Sequence, residues 1–130
     1  MSSFTNASGF RPIPLQGKWQ VTEDFRWYFE EVDGDSVIIP KGFIFDGASI
    51  PFPITVVLPK VHPDYMQSAA LHDYLLDNLR AILTRNFIDI QFYNSLRVLG
   101  NSKIRSWCMY QAVKNFGLLT EGKKYYQKIK

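Results

Sequence analysis

The sequence predicts an α+β domain: a small antiparallel β-sheet from the N-terminal half packed against about three α-helices from the C-terminal half. Three observations carry that expectation. Short aromatic and β-branched runs broken by turn residues fill the first half. Apolar residues recur at helical spacing, with capping residues at the ends of each run, in the second half. Between the two, Pro51, Pro53, Pro59 and Pro63 remove backbone donors and fix φ, so an irregular connection is expected from Ile50 to Pro63.

Lys18-Trp19-Gln20-Val21 and Phe25-Arg26-Trp27-Tyr28-Phe29-Glu30 read as the first strands. Asp33-Gly34 supplies a turn into Ser36-Val37-Ile38-Ile39, which makes a hairpin. Pro40-Lys41-Gly42 is a second break, and Phe43-Ile44-Phe45 is a short strand that runs directly into Asp46-Gly47. Asp64 or Ser68 can cap a first helix ending at Leu79. Thr84 can cap a second through Leu99, with Gly100 after its end, and Ser102 a third ending near Phe116-Gly117.

At 130 residues the chain is expected to form a single domain, 1–130, because this length leaves no room for two hydrophobic cores. It is 46% hydrophobic and 21% charged, too apolar for a disordered protein. Cys108 is the single cysteine and cannot close an intramolecular disulfide, so folding in a reducing cytoplasm is expected. No apolar run reaches the roughly 20 residues of a membrane span, and Met1-Ser2-Ser3-Phe4-Thr5-Asn6 lacks the pattern of a signal peptide. The net charge of +3 comes partly from Lys123, Lys124, Lys128 and Lys130 around Tyr125 and Tyr126. With no nucleic-acid-binding motif beside it, that tail reads as a solvated terminus, and nucleic acid is not an expected partner.

The most informative residues are His72-Asp73, set inside the apolar run Ala69-Ala70-Leu71-His72-Asp73-Tyr74-Leu75-Leu76. Ionisable groups on a buried face survive when they are paired, bind a metal or take part in chemistry. His72 shares a stripe with Ala69, Leu75, Leu76 and Leu79, and Asp89 shares one with Phe92, Tyr93 and Leu96, so both should point inward. The short link from Arg80 to Leu83 favours antiparallel helices. At about 1.5 Å per residue His72 lies roughly 11 Å from the hairpin end and Asp89 roughly 8 Å, so contact is possible. Asp73 is rotated by about 100° from His72 and faces elsewhere.

Two readings of this cluster stand side by side. One is a buried hydrogen-bonded network that locks the helices to the Asp46 turn. The other is a metal or acid/base site made of Asp46, His72, Asp73 and Asp89, whose oxygen ligands and single imidazole suit calcium, magnesium, manganese or zinc. Ser49 reads as a local turn residue, since no nucleophile elbow surrounds it. His62 reads as a surface residue and Cys108, beside Trp107, as core packing. Phe4, Phe10, Trp19, Trp27, Phe29, Phe52 and the tail tyrosines are too many to be all internal, so some are expected to meet another chain.

From Pro40 to Gly117 the chain resembles an uncharacterised domain-of-unknown-function family common in phages and prophages. The resemblance runs through Pro40-Lys41-Gly42-Phe43, Asp46-Gly47-Ala48-Ser49-Ile50-Pro51, Ala70-Leu71-His72-Asp73-Tyr74-Leu75, Asp89 with Phe92, and Met109-Tyr110-Gln111-Ala112-Val113 with Phe116-Gly117. It implies a phage origin and brings no established activity. A narrower likeness, Ala-Ala-Leu-His-Asp on one helix and an Asp before an aromatic residue on the next, is similar to the helix pair of phospholipase A2 enzymes. That likeness implies His72 as general base, Asp89 as its orienting carboxylate, Asp73 as a calcium ligand and carbonyls near Asp46-Gly47-Ala48 completing the ion's shell. The chain departs from that pattern in having only Gly47 in the loop and no disulfides.

The expected role is a phage accessory protein of the virion or its assembly, in tail, neck or baseplate. It would be made in the host cytoplasm and dock on other phage structural proteins through aromatic residues and the termini. The alternative is a small metal-dependent hydrolase acting on the host envelope, lipid or peptidoglycan.

Overall fold

The structure, a computed structural model, describes residues 2–30, 34–45 and 65–115. The α+β expectation holds, with the sheet divided in two. β1 (Ser3–Phe4), β4 (Phe25–Tyr28) and β5 (Ser36–Ile39) form one antiparallel sheet in the order β1-β4-β5. β2 (Phe10–Ile13), β3 (Lys18–Val21) and β6 (Ile44–Phe45) form the other, in the order β2-β3-β6. The expected hairpin is β4–β5, with Trp27 opposite Val37 and Phe25 opposite Ile39.

The single expected sheet is corrected to two because β1 and β2 carry weak strand signals. β1 is two residues long. β2 contains Pro12, which cannot donate to a ladder and is tolerated here because β2 is an edge strand. The Pro40-Lys41-Gly42 break is a turn in which Phe43 N donates to Pro40 O at 3.1 Å, and Gly42 takes the positive φ of 94° that such a turn demands. Gly42 N also donates to Val21 O, so this turn joins the end of one sheet to the centre of the other.

The helices follow the capping signals closely. α1 spans Met66–Asn78 and α2 spans Arg85–Val98. The Thr84 side chain accepts from Phe87 N at 3.1 Å. Gly100, at φ 98°, donates to Arg97 O while Asn101 N reaches back to Leu96 O, the paired bonds of a Schellman ending. A third helix, α3, occupies 103–115, and Ser102 Oγ accepts from Arg105 N at its start. Its expected end at Phe116-Gly117 lies outside the described residues, as does Asp64. Ser68 is not a cap: it sits inside α1, fully buried, with its hydroxyl 2.8 Å from that of Ser95 on α2. Those two small side chains let the helices approach closely.

Val21, Phe25, Trp27, Ile39 and Phe45 from the sheets meet Leu71 and Leu75 of α1, Ile88, Phe92 and Leu96 of α2, and Met109 and Val113 of α3 in one core. The alternation in β4 and β5 places Phe25, Trp27, Val37 and Ile39 inward and Ile38 outward, as period two requires. Phe4, Phe10, Trp19 and Phe29 pack against this core and are partly buried by it. Phe52 and the tail tyrosines lie outside the described residues. Cys108 is likewise corrected: it is exposed, because Ser106, Met109, Ala112 and Val113 form the inward stripe of α3 and leave Ile104, Trp107 and Cys108 facing out. No described helix is long and apolar enough to cross a membrane.

Two side-chain bonds, the first buried and the second part-buried, tie the helices to the strand half. Trp27 Nε1 donates to Gln91 Oε1 at 2.9 Å, and Gln67 Nε2 donates to Asn6 O at 2.8 Å. Trp27→Phe should destabilise the fold by about 1–3 kcal/mol, because it leaves the Gln91 amide oxygen buried without its donor. Adding Gln91→Met should recover part of that loss. Urea denaturation of the two variants checks this, and an unchanged midpoint for Trp27→Phe would remove the bond from any account of stability.

Candidate functional site

α1 and α2 bring His72 and Asp89 together. His72 is 4% exposed and Asp89 1%, and His72 Nε2 stands 2.8 Å from Asp89 Oδ1. A carboxylate only accepts, so Nε2 carries the hydrogen and donates it to Asp89, which leaves the imidazole lone pair on Nδ1. Among the described residues no hydrogen bond reaches Nδ1. Phe92, one turn beyond Asp89, packs its ring 5.0 Å from the imidazole centroid.

Arg85 completes the group, and sequence reasoning misses it. Its Nε donates to the same Asp89 Oδ1 at 3.0 Å, and its Nη2 donates to Val113 O on α3 at 3.1 Å. The signal that finds it is the i,i+4 spacing of Arg85 and Asp89 on one helix face. Among the described residues, then, the carboxylate is matched by a guanidinium, with an uncharged imidazole as second donor.

The electrostatics keep His72 neutral. Its pKa lies below the ordinary 6.5 because burial penalises the imidazolium; the hydrogen bond and charge of Asp89 pull the other way, and the Arg85 charge adds to the lowering.

Asp73 and Asp46 are the remaining members of the expected four-residue set. Asp73 is half-buried on the next position of α1, and Asp46, together with Ser49 and His62, lies outside the described residues. Among the described residues no three His, Cys, Asp or Glu side chains are placed to hold a metal ion. The described donors also fit a cation poorly, since Asp89 Oδ1 already accepts from a guanidinium and from His72 Nε2. The larger clefts of the described surface lie away from the pair. One of about 650 Å³ runs between β5 and the α1–α2 turn, lined by Val37, Ile38, Tyr74, Leu79, Ile82 and Phe87 among others.

Fold and site together define a small α+β domain whose helical layer is closed by an internal His–Asp–Arg network. The chain belongs to DUF1353, a family of proteins of unknown function, whose model matches residues 19–113. That span begins at Trp19 in β3 and ends at Val113, so it contains every member of the network. No curated protein and no solved structure matches the chain.

The lowered His72 pKa sets the sign of a pH effect. Below about 6.5 the unfolded chain binds the His72 proton more readily than the folded one, so stability is complete above the unfolded value and falls as the medium becomes more acidic. The slope should approach about 1.4 kcal/mol per pH unit for the one proton involved, and His72→Gln should remove that part of it. Denaturation midpoints measured through the range of histidine titration check this; superimposable profiles would refute it. Asp89→Asn, which removes the charged acceptor shared by His72 Nε2 and Arg85 Nε, should cost about 1–3 kcal/mol in the same assay.

Proposed function

We propose that this chain is a bacteriophage-encoded accessory protein that docks on other phage structural proteins in the virion or during its assembly. The observation that carries this reading is the contrast between the two faces of the helical layer. Inside, the ionisable groups bind one another and the described clefts lie elsewhere. Outside, α3 presents Ile104 at 78% and Trp107 at 56% exposure, large apolar side chains one turn apart on one face. Tryptophan is among the residues that most often anchor protein interfaces. The motif resemblance supports the phage origin, and the presence of Ile104 and Trp107 within the matched family span supports their belonging to the shared domain.

A second reading is favoured by one observation, the carboxylate-oriented imidazole. A neutral His72 that donates an Nε2–H hydrogen bond to Asp89 and keeps a lone pair on Nδ1 has the electronic state of a general base. This reading makes the protein a small hydrolase of the host envelope, acting on lipid or peptidoglycan, with His72 abstracting a proton from water and Asp89 holding the tautomer.

The readings part experimentally. On the docking reading, the protein appears at fixed stoichiometry in purified particles and Trp107→Ser abolishes its incorporation. Thermal stability should change by no more than about 0.5 kcal/mol, as expected of an exposed site. Absence from particles, or unchanged incorporation of the Trp107 variant, would overturn it. On the hydrolase reading, envelope lipid or peptidoglycan is turned over by the wild type and not by folded His72→Ala.

A further inference from the structure

We propose that Arg85 is a positioning residue that holds the Asp89 carboxylate in the orientation His72 uses and ties that orientation to α3. The proposal rests on the hydrogen-bonded network itself and stands apart from both functional readings above.

The geometry carries the argument. Asp89 Oδ1 receives His72 Nε2 from α1 and Arg85 Nε from its own helix, at 2.8 and 3.0 Å. A lone carboxylate on a helix can rotate about its terminal torsion, which is broad and twofold. A second donor on the same oxygen removes that freedom, because rotation would break both bonds together. The guanidinium is itself held, since Nη2 donates to Val113 O on the third helix. Arginine, unlike lysine, offers donors on separate nitrogens in a fixed plane, one for each acceptor. Lysine has a single nitrogen and cannot serve a carboxylate and a main-chain carbonyl in that geometry.

The consequence is a single imidazole tautomer. With Asp89 fixed, Nε2 keeps the hydrogen and Nδ1 keeps the lone pair. With Asp89 free to turn, the energetic preference between the two neutral tautomers shrinks and both are populated. The same side chain clamps α3 at its inward Val113, so loosening Arg85 frees the helix as well as the carboxylate.

The test uses the full chain and nitrogen-detected NMR of the imidazole, with His72 assigned against His62 through His72→Gln. Wild type should show His72 in the Nε2–H form alone. Arg85→Met should show mixed tautomers together with amide exchange in α3 raised about tenfold or more relative to α1. Arg85→Lys keeps the charge, and should preserve the tautomer while still raising exchange in α3. Ile88→Val, a core change that leaves every network atom in place, controls for general destabilisation and should leave the tautomer unchanged. If folded Arg85→Met retains one tautomer, or if Ile88→Val mixes tautomers to the same extent, the positioning role is wrong. Should Arg85→Met not fold, Arg85→Lys decides the matter, and α3 exchange identical to wild type would overturn the proposal.

Discussion

The helical half of this protein is organised by the need to compensate one buried charge. Asp89 is 1% exposed, and an ionised carboxylate removed from water is tolerated only when donors replace its hydration. Two side chains do so, one from α1 and one from α2, and the second continues to α3. Each donor can reach Asp89 only at one helix rotation and one axial offset. The network therefore sets how α1 and α2 face each other and where α3 lies across them, whereas the surrounding apolar contacts would accept several neighbouring arrangements.

The other buried polar contacts act in the same way. Ser68 and Ser95 meet at 2.8 Å where the two helices run closest, and a larger side chain at either position would push them apart. Trp27 and Gln91 connect the β1-β4-β5 sheet to α2 through a bond that a shift of one residue along the strand would break. Such groups add little net stability beyond that of a well-packed apolar core, since desolvation offsets most of their attraction. What they contribute is discrimination between registers, because each bond forms at only one relative placement of the two elements it joins. The same discrimination fixes the tautomer of His72, so the arrangement that specifies the fold also leaves a defined lone pair on Nδ1.

Much of this was legible in the sequence. Helical spacing placed His72 and Asp89 inward, and arithmetic on the hairpin put them within reach. Thr84, Gly100 and Ser102 marked helix ends that the hydrogen bonds confirm, because capping is a local interaction. The misses were non-local. β2 hides behind Pro12, whose acceptability depends on its being at a sheet edge, a property no local window contains. Ser68 could cap a helix on local grounds, and its real role depends on Ser95, 27 residues away. Cys108 reads as internal by residue type, yet the stripe through Ser106, Met109 and Val113 turns it outward. Arg85 was visible as an i,i+4 partner, but its second bond, to a carbonyl on α3, could only be seen once three helices were placed.

The network also bears on how the two functional readings relate. A general base must present its lone pair to solvent or substrate, and a 4% exposed imidazole does so only through a narrow opening or after the surrounding segments move. A docking domain has no such requirement and gains from a rigid helical frame, because an exposed face binds with less ordering cost when its backbone is already held. On the docking proposal α3 is that face, and the arginine bound to the same carboxylate oxygen as the imidazole also bonds to it. Orientation of the base and rigidity of the outer face are thus two effects of one set of bonds. A partner that shifted α3 would act first on the Arg85–Val113 bond, and through Asp89 on His72.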